Sequence, residues 1–163
     1  MTLSEGNFIS SFFFLNTLNM AMLENKGLKF KSFLMGRVLS LDRFAKEMGV
    51  VYILLIDVRK DLKLRIGALG EYMFRKGIYC YVGTAQRNFG LRIIRHLSRR
   101  KRKFWHIDYL LSSRHVEIGA ILWKRAGRAE ECRIARKLAK MGTPIKGFGC
   151  SDCKCISHLF LLS

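Results

Sequence analysis

The residues best suited to chemistry sit near the end of the chain. Cys150, Cys153, Cys155 and His158 follow the spacing C-x2-C-x-C-x2-H. Three thiols and an imidazole suit tetrahedral Zn²⁺, and such a centre can hold together a loop-rich end of a small domain. The spacing is tighter than in common zinc fingers, which separate two ligand pairs by a longer loop. The competing reading is therefore a cluster of small, semi-buried thiols in a Gly-rich turn, with Cys132 nearby. A nucleophilic Cys would need a base and an orienting group, and the spacing supplies neither.

Glu131 is a second candidate. In a helix it shares a face with Ile134, Ala135 and Leu138, while Glu130 lies with Arg133 and Lys137 as exposed charge. A carboxylate on an apolar face needs a partner, because an unpaired buried charge is costly. That partner is either a metal ion or a cation such as Arg92. The third feature is a run of eight cations without an acid: Arg87, Arg92, Arg95, Arg99, Arg100, Lys101, Arg102 and Lys103. Such a run binds phosphate whether or not catalysis occurs.

Composition limits what these groups can serve. The chain has 163 residues, of which 50% are hydrophobic, and one Pro. That excludes a disordered chain and a collagen-like or low-complexity polymer. Lys and Arg number 30 against 12 acids, a formal net charge of +18. The excess calls for a polyanionic partner, with nucleic acid first and an anionic membrane surface second. Five Cys, three of them within six residues, make a poor disulfide framework and suit a metal or a reduced compartment, so a cytoplasmic setting is expected.

The charge divides the chain. Residues 1–48 carry six cations against four acids, and residues 49–163 carry 24 against eight. This places a boundary near Gly49, between an N-terminal extension (1–48) and a basic domain with a Cys-rich end (49–163). Within the extension, Phe8 to Leu23 is apolar but shorter than the roughly 20 residues of a spanning helix, and Asn16 and Asn19 interrupt it. No basic n-region precedes it, as a signal peptide would require. It reads as a helix packed on the domain, or as sequence upstream of a true start at Met35 or Met48.

From Gly49 the pattern sharpens. Val50 to Ile56 is an unbroken apolar run of a buried strand. Lys63 to Ile66 alternates as in a hairpin strand, and Ile78 to Val82 is a third strand. Alternation sends Tyr79 and Tyr81 to one face and Ile78, Cys80 and Val82 to the other. A helix over 90–100 has Ile93, Ile94 and Leu97 on its apolar side and Arg92, Arg95, His96 and Arg99 opposite. Phe104 to Leu111 reads as helix, Val116 to Trp123 as strand, and Arg128 to Lys140 as a helix closed by Gly142 and Pro144. The order β-β-β-α-α-β-α implies a mixed α/β (α+β) domain with a small, partly antiparallel sheet.

Five stretches in this order resemble a known group. They are Gly77-Ile78-Tyr79-Cys80-Tyr81-Val82-Gly83, Gly90 to Leu97, Trp105 to Leu111, Glu131-Cys132, and Gly147 to Cys155 continuing to Ser157-His158-Leu159-Phe160. The segment from 49 to 160 resembles the GIY-YIG nuclease superfamily. It is most similar to the small, archaeal-type GIY-YIG-related domain of unknown function that is sometimes fused to endonuclease III. The resemblance implies catalytic roles for Tyr52, Tyr81, Arg92, His96 and Glu131, with Glu131 holding Mg²⁺ or Mn²⁺. Two features depart from the superfamily pattern. Gly49 precedes Tyr52 by three residues instead of two, and no Asn follows Asn88.

The chemistry of phosphodiester cleavage asks for the same set. Charge builds on the non-bridging and leaving oxygens, where an Arg and a divalent ion stabilise it. Mg²⁺ needs only one or two protein carboxylates. A Tyr, deprotonated or hydrogen-bonded, can position or activate water. His106 and Asp108 flank Ile107 and read as structural. Three expectations follow. The first is a divalent-metal-dependent DNA endonuclease, with Arg87, Arg95, Arg99, Arg100, Lys101, Arg102 and Lys103 on nucleic acid. The second is a binding module for DNA or RNA without activity, and the third a membrane-surface protein anchored through Phe8–Leu23.

Overall fold

The computed structural model describes residues 47–162 and the backbone of a strand at 31–34. The expectations for Phe8–Leu23 and for the starts at Met35 lie outside the described residues. Among the described residues, eight strands and three α-helices follow in order: β1 (Lys31–Leu34), β2 (Val50–Val58), β3 (Leu62–Arg65), β4 (Glu71–Phe74), β5 (Gly77–Ala85), α1 (Phe89–Leu97), α2 (His106–Leu111), β6 (Val116–Arg125), α3 (Ala129–Leu138), β7 (Gly142–Pro144) and β8 (Leu159–Leu162). A short 3₁₀ turn, Gly67–Leu69, joins β3 to β4.

The main sheet has the order β1-β6-β2-β5-β8-β7, and β3 and β4 form a separate ribbon. The domain is the mixed α+β type expected, and among the described residues every strand pairing is antiparallel. The reason lies in the connections. The β3–β4 ribbon extends the turn of one long hairpin between β2 and β5, and the α1–α2 connection returns the chain to the far side of β2, running opposite to it.

β2 is central and covered on both faces, so it needs apolar residues at every position instead of alternation. On one face Tyr52, Leu54, Ile56, Tyr79 and Tyr81 pack with α1, α2 and the ribbon. On the other, Val51, Ile53, Leu55, Cys80 and Val82 pack against Ile134, Ala135 and Leu138 of α3. The split of the β5 side chains matches the alternation in the sequence, and the apolar face of α3 is the one expected.

α1 is rotated from its expected setting. Its buried residues are Phe89, Gly90, Ile93 and His96, while Ile94 and Leu91 are exposed. His96 faces inward because a hydrogen bond on the sheet replaces the water it leaves. α2 starts only at His106 and leaves Phe104 outside, 77% exposed.

Candidate nucleic-acid cleft and metal cluster

β2 and β5 lie side by side with Tyr52 opposite Gly83 and Leu54 opposite Tyr81. Tyr52 and Tyr81 are therefore diagonal neighbours on one face. Gly83 is required here, since a Cβ at that position would stand 2.6 Å from Cζ and Oη of Tyr52. The two rings form the floor of an open cleft of about 700 Å³. Arg92 and Leu91 come from α1, Trp105 from the start of α2, Glu131 from α3, and Gly149 and Asp152 from the Cys-rich loop. Arg128 and Asp152 form an ion pair at the rim.

Tyr52 Oη and His96 Nε2 are 2.7 Å apart and buried. Burial, with Lys101 and Arg92 close by, pushes the imidazole pKa down to about 3, so His96 is neutral at ordinary pH. Its Nδ1 is buried with no hydrogen-bond partner. An unpartnered ring nitrogen is better tolerated than an unpartnered N–H. The proton accordingly sits on Nε2, which donates to Tyr52 Oη. The Arg92 guanidinium also bears on Tyr52, and the phenol's own O–H is left to offer. Burial raises the Tyr52 phenol well above its ordinary pKa, with Tyr81 adding to the rise and Arg92 opposing it. Burial and the charge of Glu131 do the same to Tyr81. Both phenols are thus neutral hydrogen-bonding groups, and of the two expected forms of the Tyr the deprotonated one is disfavoured.

Trp105 carries the guanidinium groups of Arg92 and Arg95 over its ring, at 4.4 and 4.7 Å from the centroid. Arg95 is held by Asp108, with Nη2 donating to Oδ2 at 2.6 Å. The backbone N–H groups of Phe104 and Trp105 donate to the same oxygen, each at 3.0 Å. Lys101 turns inward, its side chain 5% exposed, and donates to the carbonyls of Arg95 and His96. Arg99 donates to the carbonyl of Ser113. These bonds fix the basic loop after α1 and leave Arg100, Arg102 and Lys103 exposed.

Behind the cleft lies a second group. One ligand atom each from Cys132, Cys153, Cys155 and His158 falls within 4.8 Å of all the others, so the cluster can hold a metal ion. Cys132 takes the place given to Cys150 in the sequence reading. The reason is topological: α3 packs its first turn against the loop, and Cys132 approaches the loop cysteines from the helix. Cys153 Sγ lies 3.4 Å from His158 Nε2. On the opposite side of that ring, Nδ1 lies 3.5 Å from Glu131 Oε1. Burial, and then the neighbouring thiols Cys132 and Cys153, push Cys155 up to about 12.

A family model described as "Domain of unknown function DUF123" matches residues 51–163. The chain belongs to the DUF123 family. No curated protein and no solved structure matches it. The DUF123 match takes in all the residues of the cleft floor and of the metal cluster.

Within this DUF123 domain, Tyr52, Tyr81, Arg92 and Glu131 line one cleft, whereas His96 stands behind Tyr52 and does not. Arg87 and Arg95 reach the cleft wall. Lys101 is committed to the interior, and this corrects its expected place on nucleic acid. The side chain beside the Glu131 carboxylate is His158, with Nδ1 3.5 Å from Oε1. Trp105, Arg128 and Asp152 line the DUF123 cleft without having been singled out for it. Trp105 opens the stretch Trp105 to Leu111 beside the basic run, and an aromatic interleaved with cations is its signal in the sequence. No helix among the described residues is long and apolar enough to cross a membrane.

Proposed function

We propose that this DUF123 protein is a divalent-metal-dependent endonuclease of the GIY-YIG type that hydrolyses phosphodiester bonds in DNA. The observation that carries the reading is the convergence of Tyr52, Tyr81, Arg92 and Glu131, from four separate elements, on one open cleft. The exposed cations Arg87, Arg100, Arg102 and Lys103 supply the attraction for a polyanion.

The roles follow from the chemistry of each group. Arg92 presents a permanent cation to the phosphate, held in place by stacking on Trp105. Tyr52, fixed by His96, offers its O–H to a phosphate oxygen or to the attacking water. Tyr81 shares the floor beside it. Glu131 is the carboxylate for Mg²⁺ or Mn²⁺, and the fit is adequate because such ions take few protein ligands and complete their shell with water and phosphate oxygens. When bound, the ion would stabilise charge on the non-bridging and leaving oxygens. The soft donor set of Cys132, Cys153, Cys155 and His158 is assigned to Zn²⁺, as a closed structural centre.

Labelled linear, flapped and branched DNA, and RNA, incubated with wild type and Glu131→Ala under Mg²⁺, Mn²⁺ or chelator, test the reading. Metal-dependent cutting by the wild type alone supports it. Salt-sensitive binding by both proteins without cutting in any lane favours the second reading, a DNA- or RNA-binding module. The shifted Gly49–Tyr52 spacing and the missing late Asn favour that module.

A further inference from the structure

Glu131 stands between two sites. Its charge acts on the phenols of Tyr52 and Tyr81 in the cleft, and its Oε1 stands 3.5 Å from Nδ1 of His158 in the metal cluster. We propose that Glu131 is the outer partner of a zinc-bound His158, so that the zinc centre and the cleft share one carboxylate. The proposal rests on the assignment of Zn²⁺ above, and concerns what sets the position of Glu131.

The orientation of His158 carries the argument. A tetrahedral centre with Zn–N near 2.05 Å and Zn–S near 2.3 Å has N···S edges of about 3.5 Å. Cys153 Sγ lies 3.4 Å from Nε2, so Nε2 is the metal-facing nitrogen. A metal takes the unprotonated nitrogen, which leaves the proton on Nδ1. That N–H is buried and has no hydrogen bond. Metal-binding histidines almost always donate their second N–H to a carboxylate, a carbonyl or water, and the partner tunes the affinity. Glu131 is the carboxylate in place, with Oε1 3.5 Å from Nδ1.

The backbone restrains the ring from moving instead. His158 N–H donates to Phe148 O at 2.7 Å, and His158 O accepts from Val82 N–H at 3.0 Å. Gly149, at φ +73°, packs so closely that a Cβ there would stand 3.1 Å from His158 Cβ. The ligand Cys132 and the outer partner Glu131 are adjacent on α3, so one helical turn serves both shells. Zinc loading would then hold Oε1 on His158 and present Oε2 to the cleft.

Zinc content and zinc affinity of the full chain, the latter by competition with a chromogenic chelator, test this without reference to cleavage. The wild type is expected to carry one zinc, Cys132→Ser to lose it, and Glu131→Ala to bind about 10–100-fold more weakly. Glu131→Gln, whose amide oxygen still accepts from Nδ1–H, should stay within a few-fold of wild type. Glu130→Ala removes the same charge from the neighbouring position and should leave affinity unchanged. A zinc-free wild type, wild-type affinity in Glu131→Ala, or an equal loss in Glu130→Ala would each overturn the proposal. Should Glu131→Ala not fold, the His158 Nδ1–H resonance of the zinc-loaded wild type decides. It should be observable in slow exchange and shifted in Glu131→Gln, and its absence overturns the proposal. A wild type that binds zinc as expected but cuts no nucleic acid would sink the nuclease reading and leave this one standing.

Discussion

Tyr52 Oη and His96 Nε2, 44 positions apart in sequence, meet at 2.7 Å in the interior. The bond joins the central strand β2 to α1 and fixes the phenol that floors the cleft. Tyr52→Phe removes the acceptor and leaves a buried N–H unpaired, a loss of about 1–3 kcal/mol. Denaturant unfolding should register that loss. A variant as stable as the wild type would mean that the bond is not made in solution.

The same pair makes stability depend on pH. Folded His96 has its pKa pushed down to about 3 by burial, Lys101 and Arg92, against an ordinary value of 6.5. Below pH 6.5 the unfolded chain takes up a proton that the folded chain refuses. The stabilisation is complete above that pH and is lost as pH falls towards 3. Unfolding midpoints at pH 7.5 and about pH 5 should therefore fall further apart for the wild type than for His96→Gln.

Asp108 is fully buried and accepts from Arg95 and from two backbone N–H groups, with Lys101 at 3.7 Å. Burial alone would raise its pKa, but the bonds from Trp105, Phe104 and Arg95 prevail and hold the carboxyl below its usual value. Asp108→Ala strips the basic loop of its anchor and leaves Lys101 uncompensated. A loss of about 3–5 kcal/mol is expected by thermal or chemical unfolding. Loss of under 1 kcal/mol would show that the loop is held by its other bonds.

Gly83→Ala places a methyl group into the Tyr52 ring, which must tilt away from His96 and Arg92. We expect a cost of about 1–3 kcal/mol and a fall in any cleavage activity larger than the fall in nucleic-acid affinity. Parallel losses in both would place Tyr52 in binding alone.

The exposed part of the basic loop should govern affinity. Replacing Arg100, Arg102 and Lys103 together with Ala should weaken binding across all sequences. On duplex DNA it should also reduce the salt slope by about 2–3 units if each cation neutralises one phosphate. Lys101→Ala should instead act on stability, since its ammonium already serves two carbonyls and Asp108. A salt slope unmoved by the triple replacement would remove the loop from the interface.

The sequence made the long elements legible because their signals are local. β2 and β5 declare themselves by apolar runs and alternation, and α3 by the spacing of Ile134, Ala135 and Leu138. Strands of three or four residues carry too little pattern, and β7 contains a Pro that alone argues against a strand. The facing of α1 is not legible locally, because His96 counts as polar by type and its hydrogen bond to Tyr52 comes from a distant strand. Cys150 looked like a ligand because it lies close in sequence to Cys153. Cys132 belongs to the cluster through packing that no local spacing records.

The pairing of β1 with β6 has one more consequence. Lys31–Leu34 covers the outer backbone row of β6 from Ala120 to Trp123. A chain begun at Met48 would keep the cleft and the cysteines but expose those amides and carbonyls as an open edge. Open edges recruit other strands. Such a shortened protein should self-associate in sedimentation where the full chain does not, which would make the extension a guard against aggregation.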